Sequence, residues 1–360
     1  MSPKVRIINQ WSNEYNVADY QWWYNDLLEQ NYDVLIFNGL WEWEFYHPWD
    51  HKNEWKYKFE KLVYERGVQI YILHGTNGPI HKGRVKTTVP GDTVYMHFPL
   101  FWLYCTGFYG RGAVDDPEGH ILTYDLEHNK RHSQPINPDT LFISLVNKAH
   151  DHRCYGMDQL ARYKILTNGV AKNGIINYSW HDQLDQSKDY PFVYWKYQKT
   201  SLSDPYSVNL DSYMTTPDEQ FSSAFNIVFE SHMHETFWTE KTFTAILLGK
   251  PFLILGGEDM NIGLSPYGFE KFDEVIDYSI DLDPNYQSRY SRYAQNLANI
   301  KQEYLGKEKE LYNLLKPKAE HNKQLMITIL KEKKFIPPAI KELLERYNVA
   351  NKVGGFDFLL

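Results

Sequence analysis

Between Phe225 and Gly257 the chain reads FNIVFESHMHETFWTEKTFTAILLGKPFLILGG, a string that fits one structural unit and few others. Asn226 to Phe229 is a short apolar run that ends on Glu230, and Ser231 to Trp238 is polar and aromatic with no period. From Thr239 the spacing turns helical, with Phe243, Ile246 and Leu247 on one face and Gly249 where a helix stops. Pro251 then opens PFLIL, apolar at every position as a strand covered on both faces must be, and the run closes at Gly256 and Gly257. Strand, loop, helix and strand in this order make a right-handed βαβ unit, which commits the surrounding sheet to parallel strands.

In such a unit the carboxyl end of the first strand lies beside the amino end of the helix. Glu230, Thr239, Glu240 and Lys241 therefore converge on one crevice. The free N–H groups of a first helical turn and the Lys241 ammonium both favour a bound anion, and a neighbouring carboxylate can accept hydrogen bonds from ribose hydroxyls. On residue type alone the same pattern also describes a solvated charged first turn capped by Thr239.

The whole string adds to this. It resembles the nucleotide-binding segment of fucosyltransferase-like glycosyltransferases, in which a strand ends on a Phe-Glu pair, here Phe229 and Glu230, and a Thr-Glu-Lys triplet opens the next helix, here Thr239 to Lys241. The following Gly249-Lys250-Pro251-Phe252 is similar to a related family of glycosyltransferases encoded by phages and other viruses. The resemblance spans about residues 140 to 290. A second match lies upstream, where LFISLV (Leu141 to Val146) reads as a buried strand followed by Asn147, Lys148, His150, His152 and Arg153 and then by a helix carrying Leu160, Tyr163 and Leu166. The resemblance implies that Arg153 clamps the pyrophosphate, and a guanidinium suits that task because its rigid fork of donors matches phosphate. By the same resemblance Ser144 and Lys148 are expected to join Arg153, Glu230, Thr239, Glu240 and Lys241 in the nucleotide-sugar-binding set. The two histidines also fit local packing or capping, or, in a different reading, a nuclease or metal site without a carboxylate cluster at ligand spacing.

The amino-terminal half reads as another α/β layer. Lys4 to Asn9, Asp33 to Phe37, Val68 to Leu73 and Thr93 to Phe98 are strand-like, while Tyr20 to Gln30 and Glu54 to Arg66 are helix-like. A linker is expected near Asn129 to Pro138, where turn-forming residues carry no apolar period. The expected fold class is therefore α/β and, by the resemblance, GT-B-like, with two Rossmann-like domains facing across a cleft. Residues 1–130 would form an acceptor-side domain and 139–315 a nucleotide-sugar-binding domain, with helices in 316–360 crossing back to the first. Within the carboxyl-terminal third, helices are expected from about Tyr286 to Leu315, Ala319 to Lys333 and Pro338 to Tyr347.

Composition narrows the class further. A net charge of −8 argues against a generally cationic nucleic-acid-binding surface, although His81 to Lys86 and Lys316 to Lys334 are locally basic. Two cysteines are too few for a disulfide framework, and no apolar run is long enough to span a bilayer. A soluble cytoplasmic protein is expected, in the host cytoplasm if the gene is viral. The loop after the second strand crowds Trp41, Trp43, Phe45, Tyr46 and Trp49, either as core or as a platform on which sugars or bases stack.

The resemblance implies transfer of a sugar from a UDP- or GDP-linked donor to an acceptor hydroxyl with inversion, the acceptor being a glycan or a hydroxymethylated base in phage DNA. A base is then needed on the acceptor side, and Glu44 and His74, which follow predicted strands, are the candidate catalytic residues. Lys241 and Arg153 would offset charge on the leaving diphosphate. No cofactor is required beyond the nucleotide-sugar. The Asp281-Leu282-Asp283 string has a metal-binding form but reads as a turn before Pro284, and no metal ligands are assigned. A non-catalytic nucleotide- or carbohydrate-binding module and a metal-dependent nuclease are the alternatives.

Overall fold

The structure is a computed structural model that describes residues 3–9, 29–39, 65–75, 94–101, 103, 135–146, 151–165, 174–177, 220–233, 236–332 and 334–348. The chain divides into two compact units, one formed by Met1–Phe101 with Lys333–Leu360 and the other by Trp102–Glu332. Both are α/β and both are built on parallel strands, as the alternating pattern requires.

The first unit holds a sheet of β1 (Val5–Asn9), β2 (Val34–Gly39), β3 (Gln69–His74) and β4 (Val94–His97), paired in that order. Its buried positions are mostly aliphatic, with Leu35, Ile36, Ile70, Ile72 and Leu73 almost fully enclosed and Tyr71 among them. The carboxyl-terminal helix α5 (Pro338–Arg346) belongs to this unit. The ring of Tyr347, just beyond it, meets Tyr71 edge-on, and Phe335 stacks on Phe98.

The second unit carries β5 (Thr140–Leu145), β6 (Gly174–Asn177), β7 (Ser223–Phe229) and β8 (Phe252–Leu255) in the order β6-β5-β7-β8. Every residue of β7 and β8 is buried, which accounts for the unbroken apolar run of β8 and for the mostly apolar one of β7, where Ser223 and Asn226 are the buried polar exceptions. Because chain order reverses between β5 and β7, their carboxyl ends define a topological switch point, the place where open α/β sheets bind ligands.

Helix α1 (Asp151–Arg162) follows β5, and α2 (Glu240–Leu247) connects β7 to β8. Thr239 caps α2, and the helix ends as the sequence predicts at Gly249, whose φ of +67° is left-handed. There Gly249 N–H bonds the Ile246 carbonyl and Lys250 N–H the Ala245 carbonyl, a Schellman closure. Two longer helices, α3 (Tyr286–Tyr304) and α4 (Glu308–Lys331), pack on α1 and α2 respectively.

The break between α3 and α4 differs from the expected one. The sequence places it between Leu315 and Ala319, whereas the chain turns at Gly306, with φ of +80°, and Pro317 lies inside α4. A proline there removes one intrahelical bond, and the buried Leu311, Leu315, Ala319 and Asn322 around it hold the helix together by packing. The division expected at residue 316 therefore falls within a continuous helix of the second unit. Most of the two expected amino-terminal helices, the aromatic loop at 41–49 and the basic stretch at 81–86 lie outside the described residues. No helix among the described residues is long and apolar enough to cross a membrane.

Candidate anion-binding site at the switch point

Glu230 organises the carboxyl edge of the second sheet. It follows β7, is completely buried, and its carboxylate accepts four hydrogen bonds. Thr239 N–H and Thr242 Oγ1 donate to Oε1 at 2.9 and 2.6 Å, and Thr239 Oγ1 and Ser231 N–H donate to Oε2 at 2.6 and 3.1 Å. The loop from β7 is thereby fastened to the start of α2. Glu230 and Thr239 are expected from the sequence to touch the ligand; with their polar atoms already engaged, their place is beneath the site as its frame. Ser144 is likewise enclosed, its hydroxyl donating to the Ile227 carbonyl at 2.9 Å, so it ties β5 to β7.

Above this frame stand Glu240 and Lys241, whose side chains retain 13% and 29% exposure. Lys241 Nζ donates to Glu240 Oε1 at 2.6 Å, Thr239 Oγ1 at 3.1 Å and Ser231 Oγ at 3.2 Å, which fixes the ammonium over the first turn of α2. Burial opposes ionisation of Glu240, but the charge and hydrogen bond of Lys241 outweigh it and hold the carboxyl below its ordinary range.

The other wall comes from α1. His152 Nε2 lies 3.1 Å from the Glu230 carbonyl oxygen, and Arg153 donates to the same oxygen from Nε and Nη2, each at 3.2 Å. Residues 77 apart in sequence are thus joined across the switch point. Burial works against the Arg153 charge, and the Glu230 and Glu240 carboxylates support it. Close approach of α1 depends on Gly156, where a Cβ would lie 2.3 Å from the Phe229 ring and 3.0 Å from the Tyr290 ring.

Gly256 closes the third side. A Cβ there would come within 3.1 Å of the Glu230 and Met260 side chains, so glycine lets the end of β8 lie against the frame. Gly256 also receives Arg289 Nη2 at 2.7 Å from the first turn of α3. Arg289 is missing from the sequence-based set. Its signal is an arginine on the apolar face that Tyr293, Leu297 and Ile300 continue.

Of the remaining expected residues, Lys148, His150 and Glu44 lie outside the described residues. His74 ends β3 in the first unit, in register with His97 of β4, and their rings stack at 5.1 Å. Asp281 and Leu282 close a short 3-10 turn, Tyr278–Leu282, just before Pro284, as the sequence reading has it. Asp281 is buried, accepting from the N–H groups of Asn261 and Ile262 at 2.7 and 3.0 Å and from the Tyr293 hydroxyl at 3.0 Å. Asp283 instead pairs with Arg292. Among the described residues no three His, Cys, Asp or Glu side chains stand together as metal ligands.

The chain matches no family model and no curated protein. Among solved structures it is similar to an alpha1,3-fucosyltransferase, with 12% identity and a TM-score of 0.36, over 92% of this chain and 91% of that one. It is also similar to an alpha1,3-fucosyltransferase with GDP-fucose (12%, 0.35, over 91% and 90%) and to the S. aureus MnaA–UDP co-structure (11%, 0.42, over 92% and 81%). What the site can do follows from its own geometry: the Lys241 ammonium and the Arg153 and Arg289 guanidinium groups gather with the Glu230 and Glu240 carboxylates at the carboxyl ends of β5, β7 and β8, and the start of α2 is a place where a compact anion can be received.

Proposed function

We propose that the protein is a glycosyltransferase whose nucleotide-sugar donor, UDP- or GDP-linked, places its diphosphate over the start of α2. The supporting observation is the position of Lys241, partly exposed and held over the first turn of a helix at the switch point, with Arg153 on the facing helix. A dianionic diphosphate satisfies both the ammonium and the helix N–H groups. Glu240, ionised and beside the ammonium, accepts from the ribose hydroxyls.

In the reaction the acceptor hydroxyl oxygen attacks the anomeric carbon, the bond from that carbon to the diphosphate oxygen breaks, and the acceptor proton passes to a base, for which Glu44 and His74 are the candidates. The nucleoside diphosphate leaves with its added charge offset by Lys241 and Arg153. The configuration inverts. The acceptor hydroxyl belongs to a glycan or to a hydroxymethylated DNA base, and the net charge of −8 favours the glycan.

Thermal melting with UDP, GDP and their sugars tests the donor site, and release of nucleoside diphosphate from the stabilising donor tests transfer. Stabilisation by one nucleotide series that Lys241→Ala abolishes supports the proposal. No stabilisation by any of them overturns it, and binding without release reduces the protein to a nucleotide-binding module.

A further inference from the structure

Arg289 is 1% exposed, and its guanidinium directs its donors to main-chain carbonyls alone. Nη2 donates to Gly256 at 2.7 Å and to Met233 at 3.3 Å, and Nη1 donates to Asp283. The Asp283 carboxylate pairs directly with Arg292 and feels the Arg289 charge from farther off, and Arg289 forms no direct ion pair of its own among the described residues. The Tyr290 ring, 6.0 Å away, adds the weak attraction of its face. A buried charge in a protein is normally matched by an opposite one in direct contact, because dipoles and a more distant carboxylate leave part of its field uncompensated in a medium that screens poorly.

The carbonyls that Arg289 holds show where that field is directed. Met233 lies in the loop between β7 and α2, and Gly256 is the residue that follows β8, so one side chain joins two rims of the crevice described above. The Tyr290 hydroxyl reaches the same Gly256 carbonyl at 3.4 Å. Lys241 approaches an anion from the first turn of α2, whereas Arg289 stands behind the rims.

We infer that Arg289 is a positioning residue for the bound diphosphate, its buried charge answering the phosphates and its fork fixing the two main-chain rims that receive them. This rests on the reading of the crevice as a nucleoside-diphosphate site. It assigns Arg289 no contact with the reacting atoms; its effect is carried by the field and by the placement of Met233 and Gly256.

The test is calorimetric titration of the full chain with UDP, GDP, uridine and guanosine, comparing the natural protein with Arg289→Gln and Arg289→Lys. Glutamine keeps N–H donors for the carbonyls but removes the charge, and lysine keeps the charge but loses the fork. Arg289→Gln is expected to weaken the preferred diphosphate about tenfold and leave its nucleoside unchanged, while Arg289→Lys stays within about threefold of the natural protein. Equal weakening of diphosphate and nucleoside, or no weakening of either, overturns the inference. If the natural protein binds no nucleoside diphosphate, the reading of the crevice fails and the inference with it, an outcome distinct from the other two. Circular dichroism confirms folding, and Arg289→Met, which restores apolar packing, replaces a glutamine variant that does not fold.

Discussion

Thr239 gives Glu230 two hydrogen bonds, one from its main-chain N–H to Oε1 at 2.9 Å and one from its hydroxyl to Oε2 at 2.6 Å. The residue that caps α2 is thus itself held by the residue that ends β7. Both are buried, so water cannot replace a lost partner. Glu230→Ala would leave two N–H groups and two hydroxyls without their acceptor, and unsatisfied buried donors cost about 1–3 kcal/mol each, partly recovered by relaxation. The expected loss is roughly 3 kcal/mol or more in urea unfolding, with nucleotide binding lost as well. A stability within about 0.5 kcal/mol of the natural protein would show that Glu230 does not frame the site.

Lys241→Ala separates binding from folding. The side chain is 29% exposed and its ion pair with Glu240 lies near the surface, where such pairs contribute about 0–1 kcal/mol. The melting temperature should therefore hardly change, while affinity for a nucleoside diphosphate falls at least about tenfold, the cost of one charge-assisted hydrogen bond. Calorimetry on the variant checks both statements. An unchanged dissociation constant would place the anion elsewhere.

The βαβ unit was legible because its signals are local. PFLIL is apolar at every position, Gly249 supplies a left-handed residue, and Thr239 caps, and each of these acts within a few residues. The division of labour among the site residues was not legible. Glu230 and Glu240 are both acids at the mouth of one crevice, and only the four donors around Glu230, three of them from Thr239 and Thr242, make it frame rather than surface. Arg289 escaped for the same reason, since its carbonyl partners at 233 and 256 are distant in sequence. The helix break was misplaced because Pro317 is a stronger local signal than Gly306, and tertiary packing of α4 overrode it.

Gly156 offers a test of how closely α1 must approach. A methyl group there would lie 2.3 Å from Cε1 of Phe229, and the ring is boxed in by Tyr290. Gly156→Ala gains helix propensity of about 1 kcal/mol but forces α1 outward, and overpacking of this kind costs about 1–3 kcal/mol. A net loss of roughly 1–2 kcal/mol is expected, together with weaker nucleotide binding, because His152 and Arg153 ride on the same helix. Retained stability with unchanged binding would mean that the helix tolerates the displacement.

His97 gives the first unit a pH dependence of defined sign. Burial lowers its pKa from 6.5 to about 4, and its Nε2 has no hydrogen-bond partner among the described residues to stabilise the charged ring. Between pH 6.5 and about 4 the unfolded chain binds a proton at this position that the folded chain does not, so stability is complete above pH 6.5 and declines as the pH falls toward 4. The contribution is on the order of 2 kcal/mol after allowance for the ring's partial exposure. His97→Phe keeps an aromatic ring beside His74 and cannot titrate. Its melting temperature relative to the natural protein should therefore rise steadily as the pH is lowered from 7 to 4.5, where other groups affect both chains alike. Melting curves that run parallel across that range would show that His97 takes up its proton as readily in the folded protein as in the unfolded chain.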